Sequence, residues 1–216
     1  MKYLIFLATI LAGKQPVGLD IDGRQHLVVF DRNDRNWRVF HAMPSSTISG
    51  NTVLTFDPGT HDVLNGWGEG TFVMPHGLTV DAQGNIWLTD VGLHQVFKYS
   101  ADGKLLLTLG EAHISGRDSA HFNRPTDIAV APDGTFYVSD GYRNSRVVKF
   151  SAGGKYIMEW GTKGRRAGQF HIPHGLSQTI RRSSNFFIGD PMSLYSIPRV
   201  RSWHGPGGKK EPGITT

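Results

Sequence analysis

Cysteine is absent from all 216 residues. That excludes disulfides, thiolate metal sites and cysteine nucleophiles together. It fits a reducing compartment, or a bacterial exported protein whose core holds without staples. Long apolar runs are scarce as well. The exception is Tyr3 to Gly13, a short apolar stretch behind Lys2 that ends in small residues. It has the form of a secretory signal peptide over residues 1–13, the other reading being a buried strand. Such a stretch is too short to cross a bilayer comfortably, so no stable membrane span is expected. The expected location is secreted: periplasmic or extracellular.

An acidic balance is missing too. Lys and Arg number 23 against 18 Asp and Glu, a net charge of +5 that invites a nucleic-acid reading. Six basic residues (Arg181, Arg182, Arg199, Arg201, Lys209 and Lys210) and two acidic ones (Asp190 and Glu211) lie in residues 178–216. Most of the excess therefore sits at one end, and no nucleic-acid partner is expected for the body.

What the chain does have is glycine and proline, 27 and 11, set between short apolar runs. That is the texture of an all-β chain with many turns. One stretch organises it, Pro75-His76-Gly77-Leu78-Thr79-Val80-Asp81, which recurs in altered form at Pro16 to Asp22, Pro125 to Val130 and Pro173 to Leu176. His76 and Thr126 are 50 residues apart, and Thr126 and His174 are 48 apart. A period near 50 marks a repeat architecture.

The second repeat predicts strands at Leu78–Val80, Ile86–Thr89, Gln95–Tyr99 and Leu105–Leu109. The third predicts them at Ile128–Val130, Thr135–Val138, Arg146–Phe150 and Tyr156–Trp160. The first repeat offers Gly18–Asp22, His26–Arg32, Thr52–Phe56 and Val63–Gly68, with residues 33–51 as a polar insertion. Asp31, Asp90 and Asp140 close the second strands at matched places. Four antiparallel strands per repeat describe a β-propeller blade. A fourth repeat opens at His174 and then loses its pattern. The expected organisation is a leader at 1–13, an incomplete propeller of about three and a half blades at 14–177, and a divergent, poorly ordered tail at 178–216. Closed rings have about four to eight blades. The expectation is therefore a truncated form of a longer ring, or a homodimer in which two chains close one.

His76 and His174 hold equivalent positions just before innermost strands, which line a propeller's axis. With a third histidine they would make a three-nitrogen zinc site with one open position; the other reading is a Pro-His-Gly turn that packs well. Asp81, Asp90, Asp127, Asp133 and Asp140 read as turn or cap residues. Tyr142 follows Asp140-Gly141 in a loop near the channel, where it is either packing or, beside a metal, a base. Arg32 follows Asp31 and suits either a neighbouring acid or a substrate carboxylate.

Longer strings are more specific. Phe72 to Gly77, Gly84 to Lys98, His121 to Asp127, Val138 to Arg146, Gly168 to Phe170 and Pro173 to Leu176 together resemble peptidyl-α-hydroxyglycine α-amidating lyase, also called peptidylamidoglycolate lyase. The resemblance covers residues 15–177. It implies a six-bladed ring of NHL-type repeats carrying catalytic zinc and structural calcium. It further implies His76 and His174 as two of three zinc ligands, Tyr142 as the catalytic tyrosine and Arg32 as the arginine that holds substrate. Backbone oxygens of Val17 and Leu78 would take calcium. The implied substrate is a peptide ending in α-hydroxyglycine, cleaved without a redox cofactor to peptide amide and glyoxylate, the second step of peptide amidation.

Three departures stand beside it. The family's third zinc histidine and a calcium aspartate belong to a last blade that this sequence does not contain. A second arginine is expected after an aspartate in the fourth blade, where Asp190 precedes Pro191. Asn123 and Arg143 stand where animal homologues pair cysteines. The competing expectations are a non-catalytic NHL-repeat platform for protein or RNA, and a calcium-dependent lactonase of another six-bladed family.

Overall fold

The computed structural model describes residues 14–33, 35–36, 42–178, 186–189 and 201–203. The leader expected at 1–13 and most of the tail expected at 178–216 lie outside the described residues.

Three four-stranded antiparallel meanders follow one another. The first joins β1 (Pro16–Ile21), β2 (Leu27–Asp31), β3 (Val53–Phe56) and β4 (Val63–Trp67) in that order. The second joins β5 (Pro75–Val80), β6 (Ile86–Asp90), β7 (Gln95–Tyr99) and β8 (Leu105–Leu109). The third joins β9 (Asp127–Val130), β10 (Phe136–Asp140), β11 (Arg146–Phe150) and β12 (Tyr156–Trp160). A two-stranded parallel pair, β13 (Thr162–Lys163) and β14 (Gln169–Phe170), leads to a fourth sheet. There β15 (Gly175–Gln178) pairs with β16 (Phe186–Gly189), and β16 with β17 (Arg201–Trp203). Among the described residues the fourth repeat carries three strands, although its sequence pattern is lost after it opens at His174.

Turn chemistry closes each meander. In the β5–β6 turn the Asp81 carboxylate accepts the Gln83 and Asn85 amides at 3.0 and 2.9 Å, and its second oxygen takes the Trp87 indole N–H at 2.9 Å. One short side chain therefore fixes the turn and satisfies the only donor of a fully buried tryptophan. Burial then follows position in the blade. All five residues of β6, and all five of β10, are buried, whereas β4 and β8 are largely exposed. The second strand of each blade is covered on both faces, which is why these segments read as continuous apolar runs.

The core lies between blades. Phe30 and Val53 of the first sheet pack with Phe72 and Met74, which precede β5, and with Leu88 and Phe97 of the second sheet. Trp87 and Val96 of the second pack with Ile128, Phe136, Val148 and Phe150 of the third. Phe72 stands edge-on to Phe30 at 4.9 Å and to Phe97 at 5.6 Å. Removing a ring so enclosed costs about 3–5 kcal/mol.

The innermost strands sit side by side: β1 against β5, β5 against β9, β9 against β15. Two glycines permit it. A Cβ on Gly77 would fall 2.6 Å from the Thr126 carbonyl oxygen, and one on Gly141 would fall 1.9 Å from that of Pro173. Either side chain would push the neighbouring inner strand away.

Candidate active site

The inner strand β5 begins earlier than its sequence pattern predicts. Pro75 pairs with Asp90, Leu78 pairs with Leu88, and the register shifts between them. His76 and Gly77 form this bulge, which aims the His76 side chain out of the ladder's regular alternation. The signal was ambiguous in sequence because Pro and Gly read as turn residues, and bulges use the same residues as turns.

His76 is buried, and its Nδ1 lies 2.7 Å from the Thr126 carbonyl oxygen. A carbonyl only accepts, so Nδ1 carries the proton and Nε2 presents its lone pair. That lone pair faces the Tyr142 hydroxyl at 3.0 Å. The same hydroxyl is 2.8 Å from Nε2 of His174, and the two imidazole centroids are 4.6 Å apart. Two imidazole nitrogens from repeats 98 positions apart in the chain thus converge on one oxygen. Next to His76, the Arg32 Nε donates to the Pro75 carbonyl at 2.7 Å. Four residues singled out in the sequence, Arg32, His76, Tyr142 and His174, are brought together.

The electrostatics set their resting states. Burial, then the neighbouring His174 and Arg32, pull His76 down to about 3 against the opposing Thr126 bond. The ring is neutral at physiological pH. Burial pushes the Tyr142 phenol up to about 12, although Arg32 and Arg124 favour its anion. The phenol is therefore protonated unless further positive charge arrives beside it.

Sequence reasoning missed the parts that orient these groups. Thr126 takes the histidine's place in the third repeat. Its carbonyl fixes the His76 tautomer, and its hydroxyl lies 2.8 Å from the carbonyl of Pro173, the residue before His174. Thr89 steadies the same point, accepting the Gly77 amide at 2.7 Å and donating to the Thr126 carbonyl at 3.1 Å. The one available signal was position: Thr126 falls in register with His76.

For a zinc ion the donors present fit in part. Two imidazoles meet at one point, and one is held through its other nitrogen by a backbone carbonyl, as zinc-binding histidines are. Among the described residues no cluster of three or more His, Cys, Asp or Glu is placed to hold a metal. The pair supplies two legs of a tripod. Val17 and Leu78 lie on neighbouring inner strands brought close at Gly18, where a Cβ would fall 2.8 Å from the Leu78 nitrogen. Calcium asks for six to eight oxygens, of which two carbonyls would be a minority.

Comparison with known proteins agrees with this architecture. The NHL repeat family matches residues 72–99 and 122–150, within the second and third blades. The chain is 45% identical over 177 residues to peptidyl-glycine alpha-amidating monooxygenase B of Xenopus laevis, across 76% of this chain and 20% of that protein. It is 38% identical over 172 residues to a probable peptidyl-alpha-hydroxyglycine alpha-amidating lyase of Caenorhabditis elegans, across 76% of this chain and 49% of that one. The chain thus spans between a fifth and half of these relatives. Among solved structures, a Bacteroides thetaiotaomicron protein of unknown function aligns with a TM-score of 0.59 at 18% identity, over 85% of this chain and 46% of that one. That likeness concerns the fold alone.

Proposed function

We propose that this chain, which belongs with the peptidyl-α-hydroxyglycine α-amidating lyases, carries the reaction centre of such an enzyme at Arg32, His76, Tyr142 and His174. The observation that carries this reading is the convergence of both Nε2 atoms, at 3.0 and 2.8 Å, on the Tyr142 hydroxyl.

The substrate class is a peptide ending in α-hydroxyglycine, a carbinolamide. Cleavage takes the proton from the hydroxyl, forms the C=O bond of glyoxylate and breaks the C–N bond. The nitrogen leaves with the electron pair and, once protonated, becomes the peptide amide. Tyr142 is the base that receives the hydroxyl proton, once positive charge beside it has lowered its pKa. Arg32, held at Pro75, presents its guanidinium to the substrate carboxylate. His76 and His174 would hold zinc through Nε2, together with a ligand beyond those described. Zinc, when bound, supplies acidity to a coordinated hydroxyl. Carbonyls of Val17 and Leu78 are the proposed contribution to a structural calcium. Export directed by residues 1–13, and a second copy of the chain closing the ring, complete the proposal. Among the described residues no helix is long and apolar enough to cross a membrane.

The test is to purify the chain, load it with zinc and dialyse it. Bound zinc, molar mass by light scattering, and turnover of α-hydroxyhippurate to benzamide and glyoxylate are then measured. Expected are stoichiometric zinc lost in His76→Ala, and turnover lost in Tyr142→Phe with zinc retained. A dimer mass would support closure by a second copy. Full turnover in Tyr142→Phe would sink its assignment as base. Absence of both zinc and turnover in the folded protein would sink the catalytic reading of this chain.

A further inference from the structure

Thr126 reaches both halves of the histidine pair. It is fully buried and immediately precedes β9, the inner strand that lies between β5 and β15. On one side its carbonyl accepts the His76 Nδ1 proton at 2.7 Å. On the other its hydroxyl reaches the Pro173 carbonyl at 2.8 Å, one peptide before His174.

Counting protons gives that second link a direction. The Thr126 hydroxyl has one proton to give and three oxygens in reach: the Pro173 carbonyl at 2.8 Å, the Ser139 carbonyl at 3.0 Å and the Ser139 hydroxyl at 2.7 Å. The Ser139 carbonyl already accepts the Thr126 amide at 2.7 Å, so the proton is best placed at Pro173. With that proton committed, Ser139 is the donor in the contact between the two hydroxyls. The order runs from the Ser139 hydroxyl to the Thr126 hydroxyl to the Pro173 carbonyl, and each bond polarises the next. Both side chains are fully buried, so water does not compete. Gly141 closes on the same carbonyl: a Cβ there would lie 1.9 Å from the Pro173 oxygen and 3.1 Å from the Thr126 methyl. The peptide that leads into His174 is held between a hydroxyl donor and a glycine.

We propose that Thr126 is the positioning residue for both imidazoles. Its carbonyl sets His76, and its hydroxyl, aligned by Ser139, sets His174 through the Pro173 peptide. The third repeat, which has threonine where its neighbours have histidine, thereby fixes the spacing of the other two. The inference rests on the lyase reading for what the paired nitrogens hold; the positioning itself rests on the hydrogen bonds.

The test uses the full chain with isotope-labelled histidine, first without metal, and reads the ring nitrogens by long-range proton–nitrogen NMR. Thr126→Val keeps the carbonyl and the side chain's shape but removes the hydroxyl. His76 is expected to keep its proton on Nδ1 while the His174 nitrogens shift. Thr126→Ser restores the hydroxyl and is expected to return them to their wild-type positions. Val148→Ala, a cut in the buried third-blade core, is expected to leave both rings unmoved. Zinc affinity, measured by competition with a chelator, is then expected to fall about ten- to a hundredfold in Thr126→Val and to be recovered in Thr126→Ser. Unmoved His174 signals in folded Thr126→Val would overturn the inference and leave the lyase reading standing. Equal shifts in Thr126→Val and Val148→Ala would also overturn it, reducing Thr126 to packing. A His174 shift confined to Thr126→Val, in a chain whose wild type takes up no zinc, would support the positioning and sink the zinc reading. Should Thr126→Val not fold, Ser139→Ala replaces it. Without the serine donor the threonine proton can turn to the Ser139 carbonyl, so His174 is expected to shift the same way by less. No shift there would overturn the inference.

Discussion

The second and third blades carry the same strands, yet the loops between their second and third strands differ by one residue. Four residues, Val91 to His94, join Asp90 to Gln95. Five, Gly141 to Ser145, join Asp140 to Arg146. Up to the aspartates the blades match at an offset of 50; from the third strand onward they match at 51. The shorter loop is filled by its own core, with Val91 fully buried. The longer one begins on a glycine beneath the Pro173 carbonyl and presents Tyr142 to both histidines. One insertion and one missing side chain thus separate a structural turn from a site loop. Each loop is also anchored differently. Asp90 is satisfied by four backbone amides, Asp140 largely by side chains, including the fully buried Arg146 at 2.9 Å.

The largest effects should come from breaking these anchors. Asp90→Ala orphans four buried amides and should cost about 5 kcal/mol, enough to leave many domains unfolded. Asp140→Ala leaves the buried Arg146 with Glu159 as its remaining carboxylate partner among the described residues and should cost about 3 kcal/mol. The difference lies in rescue. Arg146→Met added to Asp140→Ala should cost much less than the sum of the single changes, with a coupling of about 2 kcal/mol in a denaturant cycle. It remains costly because Arg146 also donates to the Arg117, Asp118 and His121 carbonyls. Additive energies would show that the two anchors are not different in kind.

Exchanging the first loop residues sharpens the contrast. Gly141→Val places a branched side chain where even a Cβ would lie 1.9 Å from the Pro173 oxygen. Overpacking of that kind should cost about 3 kcal/mol and displace His174, so the zinc affinity should fall with the melting temperature. Val91→Gly removes a fully buried side chain and should cost about 2–3 kcal/mol, with no loss of zinc affinity. Equal zinc affinity in the two variants would mean that Gly141 is not what seats the histidine.

Much of the architecture was legible because it is local and repeated. Strand positions followed from apolar runs and turn residues, and the period named the blades. The four candidate residues that the fold brings together were legible through equivalent position or resemblance: His76 and His174 by register, Tyr142 and Arg32 by motif. What stayed hidden depends on backbone rather than side-chain identity. Thr126 acts through a carbonyl that every residue has, and the bulge at His76 is written in residues that also make turns.

The smallest expected effect lies at the far end of the same loops. His94 and Ser145 both precede the third strand with positive φ, 60° and 52°. His94 is drawn down to about 4, first by burial and then by Arg124 and His113. Because its folded pKa lies below the ordinary 6.5, the unfolded chain binds the extra proton first. Its contribution is therefore present above pH 6.5 and is lost as the pH falls from 6.5 toward 4. Protonation would also remove the lone pair that holds the Arg124 amide. His94 is half-exposed, so solvent screening limits the effect to about 1 kcal/mol. His76 adds a slope of the same sign, extending toward pH 3. His94→Ser copies the residue that the third blade uses at this place. It should flatten, but not abolish, the fall in melting temperature between pH 6.5 and 4, while leaving the slope owed to His76. If the serine variant kept the full acid slope, His94 would be no more than a turn residue, and the two loop ends would be equivalent after all.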